Sequence, residues 1–191
     1  EDLVFTMGAY SDESNSQTGH SFEGRSWGGG AIVAYNYAQL WVRRCIFSHN
    51  RAAAGGAVFV REGVEASFED SLFEQNEATG SNGALRVYSD SRATILRTTF
   101  TENKTGTSGG GVGFSLNRPS KVDPSIVEDC LFDLNNATLT GGGMDATTVS
   151  TTVHVITTRF HQNNAGQSGG AVSGSNDAVI TVTDSIMTNN A

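Results

Sequence analysis

The sequence has few cysteines, few prolines and no long apolar run, and each shortage excludes a class of protein. Two cysteines in 191 residues are too few for a disulfide framework. Two prolines beside 23 glycines indicate that glycine makes the turns. No apolar run approaches the roughly 20 residues of a membrane-spanning helix, so we expect no membrane span in this chain. A net charge of −8 argues against a nucleic-acid partner, because phosphates attract basic surfaces.

Motifs of catalysis and metal binding are also missing. The sequence contains no HExxH, no GxSxG, no phosphate-binding GxxxxGK[ST] and no Cys–His cluster with zinc spacing. None of the four histidines pairs with another at ligand spacing. We therefore predict no catalytic residues, no cofactor and no metal, and we expect that the protein is not an enzyme.

One pattern recurs along the chain: an aromatic residue followed three positions later by asparagine. The pattern begins at Phe47, Phe73, Phe100, Phe132 and Phe160, with Met187 in a last copy, and successive copies lie 26, 27, 32, 28 and 27 residues apart. About 11 residues after each phenylalanine, a small residue opens an apolar stretch. These openers are Ala57, Ala84, Gly111, Gly143 and Ala171, with Ala31 before the first copy. A fixed period of this kind indicates stacked structural repeats.

The composition of the repeat selects the fold. Leucine is too sparse for leucine-rich repeats, and helical repeats need longer units with helical spacing of apolar residues. Stretches such as AVFVR, ATILRTTF and TVHVITTRF are rich in β-branched residues, which indicates short strands. We predict an all-β fold, a single-stranded right-handed parallel β-helix (solenoid) of about six coils over residues 29–191. Residues 1–28 depart from the repeat and are predicted to form an irregular first coil or an N-terminal cap.

Several repeat positions are predicted to point into the solenoid. The phenylalanines would stack as an internal aromatic column. The asparagines would form a structural ladder, in which amides bond to one another and to turn backbone; its members are Asn50, Asn76, Asn103, Asn135, Asn163 and Asn190. The alanines and glycines that follow would keep the next corner thin, and glycine also permits positive φ there.

Cysteine and glycosylation motifs give two further expectations. Cys45 and Cys130 occupy the same small, semi-polar repeat position three coils apart, or roughly 14 Å. A disulfide needs Cα atoms about 4.4–6.8 Å apart, so we predict two free, buried thiols. Of the two Asn-x-Thr sequons, Asn103 is a ladder residue and a poor acceptor, whereas Asn136 is predicted to be exposed.

The two halves of the repeat together resemble those of a known family. FSHN, FEQN, FTEN, FDLN and FHQN match its FxxN element, and GGAI at 29–32 with GGAV at 55–58 and 169–172 match its GGA[ILV] element. Both are similar to the repeats of the chlamydial polymorphic membrane proteins and related right-handed β-helix surface proteins. The resemblance implies an exported, adhesin-like protein, and hence an extracellular or cell-surface location.

We predict a non-enzymatic surface or assembly protein that binds a protein or glycan partner, or that serves as a spacer in a larger assembly. Large apolar residues in outward columns of the first coils, with Trp27 just upstream, are candidate partner-binding residues, namely Trp27, Val33, Tyr35, Trp41 and Phe59. The alternative is that residues 1–28 fold back over these side chains. An insertion, NRPSKVDP, adds the basic residues Arg118 and Lys121 as a candidate contact loop. The chain stops after its last ladder asparagine, so we also expect an uncovered coil end that invites another chain or a cap.

Two alternatives belong to other functional classes. A carbohydrate-active β-helix enzyme, a lyase or hydrolase, would need paired carboxylates. Asp70 and Asp129 would lie roughly 9–10 Å apart, but Arg97 would lie between them, which favours a surface ladder of opposite charges. An ice-binding solenoid would need a regular threonine array, and the outward column Trp41, Ser67, Thr94, Ile126, His154, Thr181 is not one.

Overall fold

A computed structural model describes the backbone of residues 3–6 and residues 28–115 and 123–191. These residues form 24 β-strands and no helix. The strands lie in four parallel sheets, and every sheet takes at most one strand from each coil. The arrangement is a parallel β-solenoid of about six coils, which confirms the predicted fold.

Sheets 1 and 2 follow the opener of each coil. Sheet 1 contains β2 (Ile32–Ala34), β6 (Val58–Val60), β10 (Leu85–Tyr88), β14 (Val112–Ser115), β18 (Met144–Thr147) and β22 (Val172–Ser175). Sheet 2 contains β3 (Gln39–Arg43), β7 (Glu65–Glu69), β11 (Arg92–Leu96), β15 (Ser125–Glu128), β19 (Thr152–Ile156) and β23 (Val179–Thr183).

Sheets 3 and 4 complete each coil. Sheet 3 contains β1 (Leu3–Thr6), β4 (Cys45–Ser48), β8 (Leu72–Glu74), β12 (Thr99–Thr101), β16 (Leu131–Asp133), β20 (Arg159–His161) and β24 (Ile186–Thr188). Sheet 4 contains β5 (Arg51–Ala54), β9 (Glu77–Ser81), β13 (Lys104–Thr105), β17 (Asn136–Ala137) and β21 (Asn164–Ala165). β1 pairs with β4 so that Phe5 is opposite Phe47, and sheet 3 thus begins before residue 29. The rest of the predicted cap, at positions 1, 2 and 7–27, lies outside the described residues.

The strand register follows the repeat. Phe100 pairs with Phe73 on one side and with Phe132 on the other. In sheet 2, Ile95 lies between Phe68 and Val127 in the same way. Side chains alternate in and out along a strand, so identical columns stack on one face. The inward columns therefore form one continuous core along the solenoid.

Two corners of each coil turn at a single residue with positive φ. Between sheets 2 and 3 the φ values are 44° to 52°, at Arg44, Asp70, Arg97, Asp129, Thr157 and Asp184. Between sheets 3 and 4 they are 51° to 58°, at His49, Gln75, Glu102, Leu134, Gln162 and Asn189. Left-handed backbone costs a residue with a Cβ about 1–2 kcal/mol. Interactions between coils must therefore hold these corners in place.

The third corner explains the paired glycines before most openers; before Ala84, asparagine takes the first place of the pair, as Asn82 and Gly83. Gly55, the first of one pair, has a φ of +59°. The second, Gly56, faces the next coil, where a Cβ would lie 2.1 Å from the carbonyl oxygen of Gly83. The first glycine therefore supplies the backbone conformation, and the second supplies the clearance between coils.

The six predicted asparagines lie in one ladder directly after the corner between sheets 3 and 4. The Oδ1 of Asn103 accepts hydrogen bonds from the backbone N–H and the Nδ2 of Asn76, at 3.0 and 2.9 Å. Its own Nδ2 donates to the Oδ1 of Asn135 and to the carbonyl oxygen of Phe73, each at 2.9 Å. Asn103 is completely buried, and these bonds satisfy its amide. The amide contacts recur from Asn50 to Asn190.

The phenylalanine column packs beside this ladder. Ring centroids are 4.5, 4.8, 4.9 and 4.7 Å apart from Phe47 to Phe160, and the rings are within 12° of parallel. All five rings are completely buried. The separation of the rings follows the spacing of neighbouring strands, about 4.8 Å, so the backbone repeat sets the stacking.

The aromatic column yields a stability prediction with an internal control. Phe100→Ala should lower the free energy of unfolding by about 3–5 kcal/mol, because it leaves a cavity between two buried rings. Met187 lies in the same column but is 43 % exposed, so Met187→Ala should lower the free energy of unfolding by far less. Urea unfolding followed by circular dichroism measures both variants. Equal losses for the two would contradict a continuous, tightly packed column.

The two thiols are free and buried, as predicted. They belong to a second ladder, placed directly after the corner between sheets 2 and 3. The Cys130 thiol donates to the carbonyl oxygen of Glu128 at 3.1 Å, and the Thr98 hydroxyl donates in the same way to Leu96 at 2.9 Å. Burial raises the pKa of Cys130 to about 12. Cysteine thus replaces a small hydroxyl residue at this position, and the Cys130 thiol stays protonated at neutral pH.

Thiol titration tests this assignment. Because the reactive species is the thiolate, the native protein should react with Ellman's reagent at pH 8 at least 10-fold more slowly, by order of magnitude, than an exposed thiol. In guanidinium without reductant, the unfolded protein should show two thiols that react immediately with Ellman's reagent. Absence of free thiol after unfolding would reveal a bridge between Cys45 and Cys130 and contradict the register.

Candidate functional site

The most exposed aromatic residues lie on the first coil for which all four sheets are described. Trp41 is on the outward face of β3, since its neighbours Leu40 and Val42 point inward. The Trp41 side chain is 73 % exposed. Exposing so much of an indole to water is unfavourable in free energy. Trp41 is therefore the first candidate for a contact residue.

Tyr37 adds an aromatic residue that the repeat columns did not identify. It lies in the turn between sheets 1 and 2, where turn lengths vary, and it is 79 % exposed. Its backbone N–H donates to the carbonyl oxygen of Glu62 at 2.8 Å. Its ring lies against Gly63, where a Cβ would come within 2.4 Å of the Tyr37 Cδ1 atom. The missing Cβ of Gly63 therefore makes room for this ring.

The predicted residues of sheet 1 divide into exposed and buried. Val33 and Tyr35 are 40 % and 49 % exposed, as expected for a contact surface. Phe59 is only 1 % exposed, so its assignment to a solvent-facing patch is wrong. The guanidinium carbons of Arg61 and Arg86 lie 5.8 and 5.7 Å from the centre of its ring. Long cationic side chains pack across the aromatic ring and bury it.

The aromatic surface therefore consists of Val33, Tyr35, Tyr37 and Trp41. The other predicted contact residues, Trp27 upstream and Arg118 and Lys121 in the insertion, lie outside the described residues.

A shallow groove of about 180 Å³ runs beside Trp41 across three strands of sheet 2. Two rows of outward side chains line it, with the inward Ala66 at its base. One row pairs Trp41 with Ser67 and Thr94, and the next pairs Gln39 with Glu65 and Arg92. Small side chains therefore follow Trp41 in its row, and polar or charged side chains fill the second row.

A surface ladder of alternating charges lies at the corner between sheets 2 and 3, as the sequence predicted. Arg97 contacts both oxygens of Asp70, at 2.7 Å from Nε and 3.3 Å from Nη2. Arg43 lies 3.8 Å from Asp70 and 3.9 Å from Glu69. These groups are solvent-exposed, and water screens their attraction, so the ladder contributes little to stability.

The same ladder favours the ionised form of Asp70, one of the two carboxylates considered for catalysis. The hydrogen bond from Arg97 is the main cause that lowers the pKa of Asp70. Asp129 accepts a hydrogen bond from the hydroxyl of Thr157. A glycosidase acid needs a raised pKa, so Asp70 does not suit the role of the acid in such a pair.

At the other end of the described solenoid, residues of the inward columns are partly exposed. β22, β23 and β24 are the outermost strands of sheets 1, 2 and 3. Val182 and Met187, in inward columns, are 44 % and 43 % exposed. Asn190 is the last member of the ladder and still accepts from the Asn163 backbone and side chain, both at 2.9 Å.

Comparison with known proteins identifies the architecture. Residues 57–191 match a family model described as a right handed beta helix region. No curated protein and no solved structure matches the chain significantly. Within the described ranges, no helix has the length and apolar character needed to span a membrane.

Proposed function

Because the chain belongs to the right-handed β-helix family, we propose that it is a non-enzymatic surface or assembly protein that binds a partner through its aromatic surface. The observation that carries this proposal is the exposure of Trp41 and Tyr37, at 73 % and 79 %. Rigid aromatic side chains are enriched among residues that dominate binding energy. The family itself does not specify an activity, so the proposal depends on this surface.

The solenoid suits such a role because it presents the surface on a stiff support. The asparagine ladder and the phenylalanine column connect successive coils through their interior. Trp41 lies on a strand that pairs along its whole length with β7, which limits its backbone motion. A rigid aromatic group loses little conformational entropy on binding, so more of its contact energy appears as affinity.

The proposed location is the cell surface or the extracellular space. Support comes from the FxxN and GGA[ILV] repeats, which resemble those of the exported chlamydial adhesins. Two free thiols neither require nor contradict an oxidising compartment. The partner is a protein or a glycan in a larger assembly, and the acidic chain disfavours nucleic acid.

The alternatives receive less support. Ice binding would need a regular hydroxyl array, but the row containing Trp41 continues through Ile126 and His154. Within the carboxylate pair that the sequence suggested, Arg97 favours the ionised form of Asp70, so Asp70 is unsuited to act as the acid of a carbohydrate-active enzyme.

Binding of the labelled protein to intact cells of its source organism tests the proposal. The wild type should bind saturably, and Trp41→Ser and Tyr37→Ser should each weaken binding by about 30-fold, as loss of a residue worth about 2 kcal/mol requires. Val149→Ser is the control, because Val149 is an apolar residue 64 % exposed on a distant coil.

Saturable binding that is lost only in the Trp41 and Tyr37 variants would support the aromatic surface. Absence of saturable binding, or equal binding by all variants, would contradict it. Circular dichroism of each variant checks that the solenoid is intact.

A further inference from the structure

We infer that Asn136 is a site of N-linked glycosylation, which places a glycan on the outward face of sheet 4; this inference rests on the proposed extracellular location. The sugar donor is a lipid-linked oligosaccharide diphosphate of the secretory pathway. The Nδ2 of Asn136 forms a bond to the anomeric carbon, the bond from that carbon to the diphosphate oxygen breaks, and the amide nitrogen loses one proton. A bulky, solubilising group is thereby added to the protein surface.

The two Asn-x-Thr sequons lie on neighbouring strands of sheet 4 but are offset by one residue. Lys104 pairs with Asn136, and Thr105 pairs with Ala137, so the sequon that starts at Asn103 begins one position earlier on its strand. Side chains alternate between the two faces of a strand, and the asparagine and threonine of a sequon are two residues apart. Both residues of one sequon therefore point inward, and both residues of the other point outward.

The burial of the side chains agrees with this alternation. Asn103 and Thr105 are 0 % and 6 % exposed. Asn136 and Thr138 are both exposed, and Ala137 between them is buried. The fold therefore separates two motifs that look alike in the sequence.

The inward sequon cannot carry a glycan in the folded protein. The Nδ2 of Asn103, which is the atom that a sugar would occupy, donates to the carbonyl oxygen of Phe73 and to the Oδ1 of Asn135. A sugar at this nitrogen would break these contacts and force the coils apart.

The amide nitrogen of Asn136 is accessible. Asn164 donates to the Oδ1 of Asn136 at 3.3 Å, and within the described ranges no hydrogen bond engages the Asn136 Nδ2. Lys104, the long side chain beside it in the same outward row, bonds to Glu77 at 2.9 Å, on the side away from Asn136. A sugar on the Nδ2 would therefore project into solvent.

An exposed leucine in the same coil independently indicates a covering group. Leu134 is 44 % exposed at the corner between sheets 3 and 4. It precedes Asn136 by two residues, so their Cα atoms are at most about 7 Å apart, and the first sugars of a glycan would shield the leucine from water. The other five coils have a polar residue at this corner, namely His49, Gln75, Glu102, Gln162 and Asn189.

Peptide mapping of the protein isolated from its source organism tests the inference. A peptide N-glycosidase acting in heavy-oxygen water removes an N-linked glycan and converts its asparagine into a labelled aspartate. The label should appear at Asn136 and be absent from Asn103. An unlabelled Asn136, or a label at Asn103, would overturn the inference.

Variants of the full chain, secreted from eukaryotic cells, locate the site. Asn136→Gln and Thr138→Ala should each lose the entire glycan mass, whereas Thr138→Ser should retain a glycan. Thr105→Ala is the matched control, because it destroys the inward sequon but keeps the Asn103 amide in the ladder. This variant should carry the same glycan mass as the wild type. A wild type without glycan, or loss of glycan in Thr105→Ala, would contradict the assignment, and circular dichroism checks that each variant is folded.

Cell binding distinguishes failure of this inference from failure of the proposed function. If the native protein is extracellular and binds cells through Trp41 but Asn136 is unmodified, the glycan inference falls and the proposed function stands. If Asn136 is modified but Trp41→Ser binds as well as the wild type, the inference stands and the role of the aromatic surface falls. Enzymatic removal of the glycan should leave binding through Trp41 unchanged, because Asn136 lies on another sheet three coils away.

Discussion

The constraint on which this solenoid depends is the satisfaction of backbone N–H groups buried at its corners. A left-handed residue follows every strand of sheet 2 and, from β4 onward, every strand of sheet 3. The backbone N–H of the next residue is buried between coils, as at Cys45 and Asn76. In both places a side chain of the following coil accepts that N–H: Asn103 for Asn76, and Ser71 for Cys45. An unpaired N–H in the interior would cost about 1–3 kcal/mol, and the cost would recur in every coil.

The rest of the coil follows from these ladders. Each ladder holds neighbouring coils in strict register, and strict register stacks the phenylalanines ring on ring. The close approach of coils then excludes a Cβ at the second glycine of each pair, as at Gly56. Outward positions carry no such constraint. They vary from coil to coil, which is why a tryptophan, a serine and a threonine can follow one another in one row.

The sequence alone predicts the structural features that recur in every coil. It does not predict features that depend on one side chain in one coil. The phenylalanine and asparagine columns were predictable because each coil needs the same chemistry at that place. The repeat pattern did not identify the strand that contains Phe5, because Gly8 occupies the position at which later copies have asparagine. The burial of Phe59 depends on how Arg86 lies across it, and the exposure of Tyr37 depends on a turn of variable length. The row of Trp41 was available from the repeat, but the groove also needs Glu65 and Arg92, whose residue types follow no repeated pattern although their positions do.

The central claim is that buried amides hold the coils together, and Asn103→Asp tests it most directly. The aspartate would keep an acceptor for Asn76 but would place a carboxylate against the Phe73 carbonyl and the Asn135 Oδ1. Urea unfolding at pH 7 should show a loss of about 3–5 kcal/mol, as for an uncompensated buried charge. Burial would raise the pKa of this aspartate in the folded state, so part of the loss should be recovered as the pH falls towards its unfolded value near 4. Asn136→Asp, at the exposed neighbouring residue, should change stability by less than about 0.5 kcal/mol at either pH. Equal stability of the two variants at pH 7 would contradict the account.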